Sequence, residues 1–169
     1  MKKGFSLIEL LVITSITLLF SGIILVQYNN YTQEQKLKNE ARKLIDIMEL
    51  AKKKAVTSDL IPTPNVTPPT FCTNFTGYQL SLNTNSSYSL NYCCDSICST
   101  VVNSYTFNSK ILLTAPVSIP ANLIFTPLMK KFLLTINSIT LKNTVVNKCV
   151  TISVSPIGVI ELDESLLGC

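Results

Sequence analysis

From Phe5 to Val26 the chain is apolar or small-polar at every position but one, Glu9. A run of this length can cross a bilayer, which takes about 20 predominantly apolar residues. It constrains everything downstream, because so apolar a helix has to sit in lipid or in the core of a bundle. Lys2 and Lys3 precede the run, and Glu34, Lys36 and Lys38 follow at a distance. The basic flank places the N-terminus on the cytoplasmic side and the remainder outside. A secretory signal peptide would end in a small-residue cleavage site. Gln27-Tyr28-Asn29-Asn30-Tyr31 offers none, so the segment is expected to stay in the mature chain.

The lone carboxylate is the anomaly. At mid-membrane an acidic residue costs roughly 2.5–3.5 kcal/mol on insertion scales, and less toward the end of a span, where Glu9 lies. An ammonium group in the apolar layer would offset it, yet no Lys or Arg lies between Phe5 and Gln27. A cut after Gly4 would supply one, the new amino group of Phe5. Lys3-Gly4-Phe5-Ser6-Leu7-Ile8-Glu9-Leu10 resembles the processing signature of type IV prepilins and pseudopilins. The resemblance implies that a prepilin peptidase cuts after Gly4, leaving residues 1–4 as a discarded leader, and methylates Phe5. It implies that Glu9 pairs with the terminus of a neighbouring subunit as a helical polymer forms. The implied partners are further copies of the chain or other pilins, the peptidase/methyltransferase, a membrane assembly platform, and lipid before assembly. The competing reading is an ordinary anchor with a stray Glu.

Thr14, Thr17 and Ser21 share one helical face, with Gly22 beside it. They read either as a close-packing seam between helices or as hydroxyls bonded to their own backbone. Many pilins carry a proline near the end of this segment; Ile24-Leu25-Val26 does not, which leaves Gly22 as the one weak point. Residues 5–26 are thus expected to form a membrane or filament-core helix, and residues 27–59 its amphipathic continuation. Leu37, Ala41, Leu44, Met48, Ala51 and Ala55 recur at the alternating fours and threes of one helix face. One helix from about Phe5 to Ser58 would be roughly 80 Å long. Glu34 and Lys38, and Glu49 and Lys53, stand four apart in the favourable order. Lys52-Lys53-Lys54 reads as a solvated face, with an anion patch as the alternative.

Prolines crowd the next stretch, 60–71, and mark an extended linker. Beyond it the period changes to two. Tyr78, Leu80 and Leu82, then Tyr88, Leu90 and Tyr92, alternate with polar residues around Asn83-Thr84-Asn85-Ser86, which predicts a hairpin. Further strands are expected at 101–107, 111–114, 122–126, 132–137, 139–142, 145–154 and 159–162. Ser155-Pro156-Ile157-Gly158 has the composition of a type I turn. The expected fold class is α+β: a long N-terminal helical spine packed on a small, mostly antiparallel β-domain covering 72–169. Ala41–Thr57, and Lys148-Cys149-Val150-Thr151-Ile152-Ser153 running into Ser155-Pro156-Ile157-Gly158-Val159, resemble the H-type minor pilins and pseudopilins. That resemblance also implies a compact β-domain on a helical spine.

Six cysteines in an exported chain read as disulfide candidates: Cys72, Cys93, Cys94, Cys98, Cys149 and Cys169. Spacing alone does not fix the pairing. The simplest arrangement puts one or two bridges inside the 72–98 cluster and joins Cys149 to Cys169. A metal site of Cys93, Cys94 and Cys98 is the alternative, but the chain has no His and no second Cys-x-x-Cys. The same lack of His excludes Ser-His and Cys-His nucleophile pairs. Glu161, Asp163 and Glu164 read as a solvated end or as ligands for a hard cation. Residues 60–169 hold five basic and four acidic groups, so the distal part offers little field to steer DNA. No cofactor and no catalysis are expected. The function expected is that of a structural filament subunit at the cell surface. A minor pseudopilin of a type II secretion or DNA-uptake system is the first alternative. A single-pass anchored binding module is the second.

Overall fold

The computed structural model describes residues 6–57, 74–95, 97–116, 118–127, 133–134, 136–155 and 157–169, with backbone alone at 23–26, 99, 133–134 and 166–167. The expected linker 60–71 therefore lies outside the described residues. A single helix, α1, runs Leu7–Val56, 50 residues. At 1.5 Å per residue it is about 75 Å long. Ser6 caps its start in an extended conformation, and the Ser6 carbonyl accepts from the Glu9 and Leu10 amides. At the other end the Thr57 N–H and hydroxyl both donate to the Lys53 carbonyl, at 3.0 and 2.9 Å. Lys53 and Lys54 in the last turn suit the negative end of the helix dipole.

All six residues of the four-and-three stripe, Leu37 through Ala55, are fully buried. They pack on two antiparallel sheets, so the fold is α+β. In chain order the strands are β1 (Phe75–Thr84), β2 (Ser87–Cys94), β3 (Ile97–Thr106), β4 (Ile111–Ala115), β5 (Ala121–Phe125), β6 (Leu133–Leu134), β7 (Ser138–Asn143), β8 (Lys148–Val154) and β9 (Ile160–Gly168). One sheet has the order β3-β2-β1-β5-β6, the other β4-β7-β8-β9. α1 touches β1 and β5 of the first and β7, β8 and β9 of the second, so it roofs both. The β1–β2 turn also links the two sheets. Its Ser86 carbonyl accepts from Phe107 after β3, and its Asn85 carbonyl accepts from Leu113 of β4.

The alternation in β1 and β2 is as the period predicts: Tyr78, Leu80, Leu82, Tyr88 and Leu90 enter the core. Their polar neighbours do not face open water. Gln79, Ser81, Ser89 and Asn91 are buried as well, set opposite one another as Gln79↔Asn91 and Ser81↔Ser89. Ser81 Oγ donates to Asn122 Oδ1 at 2.7 Å and Ser89 Oγ accepts from Asn83 Nδ2 at 3.0 Å, whereas Asn91 Oδ1 has no hydrogen-bond partner among the described residues. Gly77 sits at the bulge in β1 with φ 141°, where a Cβ would collide with the Phe125 carbonyl of the neighbouring strand.

Several strand boundaries differ from the sequence expectation; β3, expected from Val101, already begins at Ile97. β8 begins at Lys148 rather than Val145, because Thr144–Asn147 form a turn. The Asn143 side chain accepts from the Val145 and Val146 amides there, and Asn147 takes φ 53°. β9 continues to Gly168 instead of stopping at Leu162. It is an edge strand whose polar stretch Glu161–Ser165 faces solvent, so no alternation marked it. Of the strand expected over 132–137, β6 is described at Leu133–Leu134, and 132 and 135 lie outside the described residues. The turn at 155–158 forms, closed by Gly158 N–H donating to the Ser155 carbonyl at 2.8 Å.

Helix charges reach across to the sheet more than along the helix. Glu34 pairs with Lys148 of β8 at 2.6 Å, not with Lys38, and Lys38 turns to Glu164 of β9 at 3.5 Å. Glu49 pairs with Lys52, three residues on, rather than with Lys53.

Two outcomes follow from this packing. Leu44→Ala removes a fully buried side chain, and should cost about 2–5 kcal/mol in denaturant unfolding of the detergent-solubilised chain. Leu50→Ala, on the outer face, should cost little; equal losses would contradict the docking. Burial, then Glu40 and Tyr105, push the Tyr88 phenol from 10.0 to about 12. The native state thus keeps a proton that the unfolded chain releases above pH 10. This contribution to stability is complete below pH 10 and fades toward pH 12. Burial raises the Tyr92 phenol as well, so absorbance titration should show a delayed component that loses one tyrosine, the latest to titrate, in Tyr88→Phe.

Candidate membrane and assembly interface

The second half of α1 is held by the sheets; the first half touches neither. From Leu7 to Gly22 every side chain is exposed, including Leu7 at 83%, Leu18 at 73% and Phe20 at 63%. The segment has a mean hydropathy of 2.3 over its most apolar window and buries none of it. A contiguous apolar surface of this extent is not stable in water. The helix is long and apolar enough to cross a membrane.

Glu9 lies in the first turn, among exposed Leu7, Ile8 and Leu10. An acid there is favoured by the positive end of the helix dipole. Ser6-Leu7-Ile8-Glu9 also has the spacing of a capping box, a local signal that the sequence expectation passed over. Ser6 makes no side-chain capping bond, however, and Glu9 has no ion-pair partner among the described residues. Gly4 and Phe5, the expected processing residues, lie outside the described residues. The hydroxyls of Thr14, Thr17 and Ser21 each donate to a carbonyl of their own helix, at 3.0, 2.9 and 2.7 Å. Their polarity is thereby satisfied without a neighbour. Gly22 beside them faces open space, with nothing near the position of a Cβ.

Where the apolar run ends, one side chain organises the junction. Asn143, fully buried at the end of β7, donates from Nδ2 to the Gln33 carbonyl of α1 at 3.1 Å. Its Oδ1 accepts from the amides of Val145 and Val146, at 2.9 and 3.4 Å. One amide therefore shapes the β7–β8 turn and fastens it to the helix. The Glu34–Lys148 pair closes the same junction, over an open groove lined by Gln27, Asn30, Glu34, Val145, Val146 and Lys148.

Farther along, β9 is strapped to α1. Arg42 Nη2 bonds Glu164 at 2.6 Å, with Lys38 behind it. The hydrogen bond from Arg42 and its charge hold the Glu164 carboxyl below the usual range. Asp163 is likewise lowered, by the hydroxyl and amide of Ser165. These acids thus serve separate partners, and no group of three or more metal-ligating side chains converges among the described residues. The triple lysine is also dispersed: Lys52 donates to the Gly158 carbonyl at 2.8 Å, and Lys54 lies over the Tyr78 ring. Two of the three ammonium groups thus have partners within the fold. Cys93 is bridged to Cys98 and Cys149 to Cys169, and Cys94 is also in a disulfide. These sulfurs are then unavailable as a thiolate metal site. Cys72 lies outside the described residues.

No family model, no curated protein and no solved structure matches this chain.

Asn143→Ala takes the side-chain acceptor from two turn amides and removes the second donor to the Gln33 carbonyl, which keeps its helical one. A loss of about 1–3 kcal/mol is expected. Hydrogen exchange at Val145 and Val146 should accelerate more than exchange in β1. Unchanged protection of both amides would show that the Asn143 amide does not hold the turn.

Proposed function

We propose that the chain is a structural subunit of a type IV pilus-like filament. It is made as a membrane-inserted precursor, cut after Gly4, methylated at Phe5, and polymerised through the bare half of α1. The observation that carries this reading is the division of one helix into two halves. Leu37–Ala55 is committed to the β-domain, while Leu7–Gly22 is committed to nothing and carries a single acid. In lipid that surface is satisfied by acyl chains, and in a polymer by copies of itself. The resemblance of 3–10 to the prepilin signature supplies the processing step. On this reading Glu9 meets the Phe5 amine of a neighbour in a low-dielectric core, where an unpaired carboxylate is strongly disfavoured.

The H-type resemblance of the β8–turn–β9 unit favours a second reading, a minor subunit of a secretion or DNA-uptake assembly. Its abundance in purified filaments separates the two. The single-pass anchored binding module stands as the reading without polymerisation.

Mass spectrometry of the membrane-extracted chain should find methylated Phe5 as the first residue. An intact Met1 would favour the anchored module instead. Glu9→Val should insert into membrane normally and abolish filament incorporation; normal filaments from that variant would refute the pairing role.

A further inference from the structure

We propose that the β7–β8 turn is a membrane-surface contact, with Val145 at its tip seated in the phospholipid headgroup layer. The inference rests on the membrane-spanning reading of α1 and adds to it where, and on which face, the β-domain meets the bilayer.

Position comes first. The apolar run ends at Val26, and the groove beside the turn is lined by Gln27 and Asn30 of the helix together with Val145 and Val146. Asn30 is four residues past Val26, about 6 Å along the axis. The headgroup layer of one leaflet is about 5–8 Å thick beyond the hydrocarbon. The turn therefore lies at headgroup height, on a helix standing across the bilayer. The Asn143–Gln33 and Lys148–Glu34 contacts fix it there, both made within one helical turn of Asn30.

Chemistry comes second. One exposed valine means nothing by itself, since single apolar side chains are common on soluble surfaces. What marks this level is that both elements lack charge. Helix residues 27–33 read Gln-Tyr-Asn-Asn-Tyr-Thr-Gln, and the turn 144–147 reads Thr-Val-Val-Asn. Residues 28–59 otherwise hold seven basic and five acidic groups, and these begin only at Glu34. Glu34 is neutralised on the spot by Lys148, the first charge after the turn. Tyr28 and Tyr31, both largely exposed, supply the amphipathic rings that favour a membrane–water boundary. Val145, 48% exposed, adds an apolar tip on the sheet side of that collar.

The chain has no tryptophan, so a single introduced Trp reports its own depth. Full-length chains carrying Val145→Trp, Tyr28→Trp or Ile157→Trp would be placed in dioleoylphosphatidylcholine vesicles with and without phosphatidylcholine brominated near the top of its acyl chains. Ile157 is the control. It is exposed on the turn whose Gly158 carbonyl binds Lys52, about 39 Å up the helix from Val26. The expected result is a blue shift and bromine quenching at positions 28 and 145, with neither at 157. Thr144→Trp, on the same turn, repeats the reading if Val145→Trp fails to fold. Quenching at 28, with 145 and 144 emitting as in water and open to iodide, would overturn the contact while leaving the span intact. No quenching at 28 either would remove the membrane-spanning reading itself. Quenching at 157 would mean that the domain lies flat, and would overturn the assigned face.

Discussion

The structure depends on one packing contact: six helix residues, Leu37 to Ala55, pressed against both sheets. Three of the six are alanines. Small side chains let the helix axis approach the strands closely, while Leu37, Leu44 and Met48 fill the space between. Because the helix roofs both sheets, its direction is fixed by the whole β-domain rather than by one loop. The free half inherits that direction. Leu7 to Val26 is 20 residues, about 30 Å, which is the hydrocarbon thickness of a bilayer. A single rigid rod thus couples the pose of the domain to that of the apolar segment.

Polar contacts along the rod play a different part. Glu34–Lys148, Arg42 and Lys38 with Glu164, and Lys52 with the Gly158 carbonyl are spaced along α1, and all reach the sheet built on β8 and β9. Exposed pairs of this kind contribute little net stability. Their use is geometric. Apolar contact permits a helix to slide or turn by one residue with modest loss, whereas three directional contacts at separate heights accept one register. Cys149–Cys169 holds the end of β9 against β8, so the edge strand that supplies Glu164 stays in place.

The helical stripe was legible because each of its residues takes its environment from the 3.6-residue period alone. The β1–β2 hairpin was legible for the same local reason. Asn143 was not. Its partners are Gln33, 110 residues away, and two amides of its own turn; an Asn in a strand-like stretch carries no mark of that. The burial of the polar residues Gln79, Ser81, Ser89 and Asn91 was not legible either, since alternation reports which face is apolar and not whether the other is covered. β9 was cut short by its own polarity, because pairing at an edge runs through the backbone. At the candidate interface, the bare helix and Glu9 were plain from composition, whereas the collar at 27–33 and 144–147 required the fold to bring two distant segments level.

On the proposed function, the bare half of α1 has to be content in two environments, acyl chains and neighbouring helices. Both are apolar and of similar cohesion, so burial supplies little driving force for moving between them. The hydroxyls of Thr14, Thr17 and Ser21 do not change this, being bonded within their own helix in either place. What differs between the two environments is the fate of the one carboxylate. Near a membrane boundary Glu9 can reach water or the headgroups. In the core of a polymer it has neither, and only a nearby amine offsets the desolvation. On that reading a mispaired copy would leave the charge bare, which would make Glu9 a proofreader of axial position more than a source of cohesion. Specificity then rests on one residue in the spine, and affinity on the many that surround it.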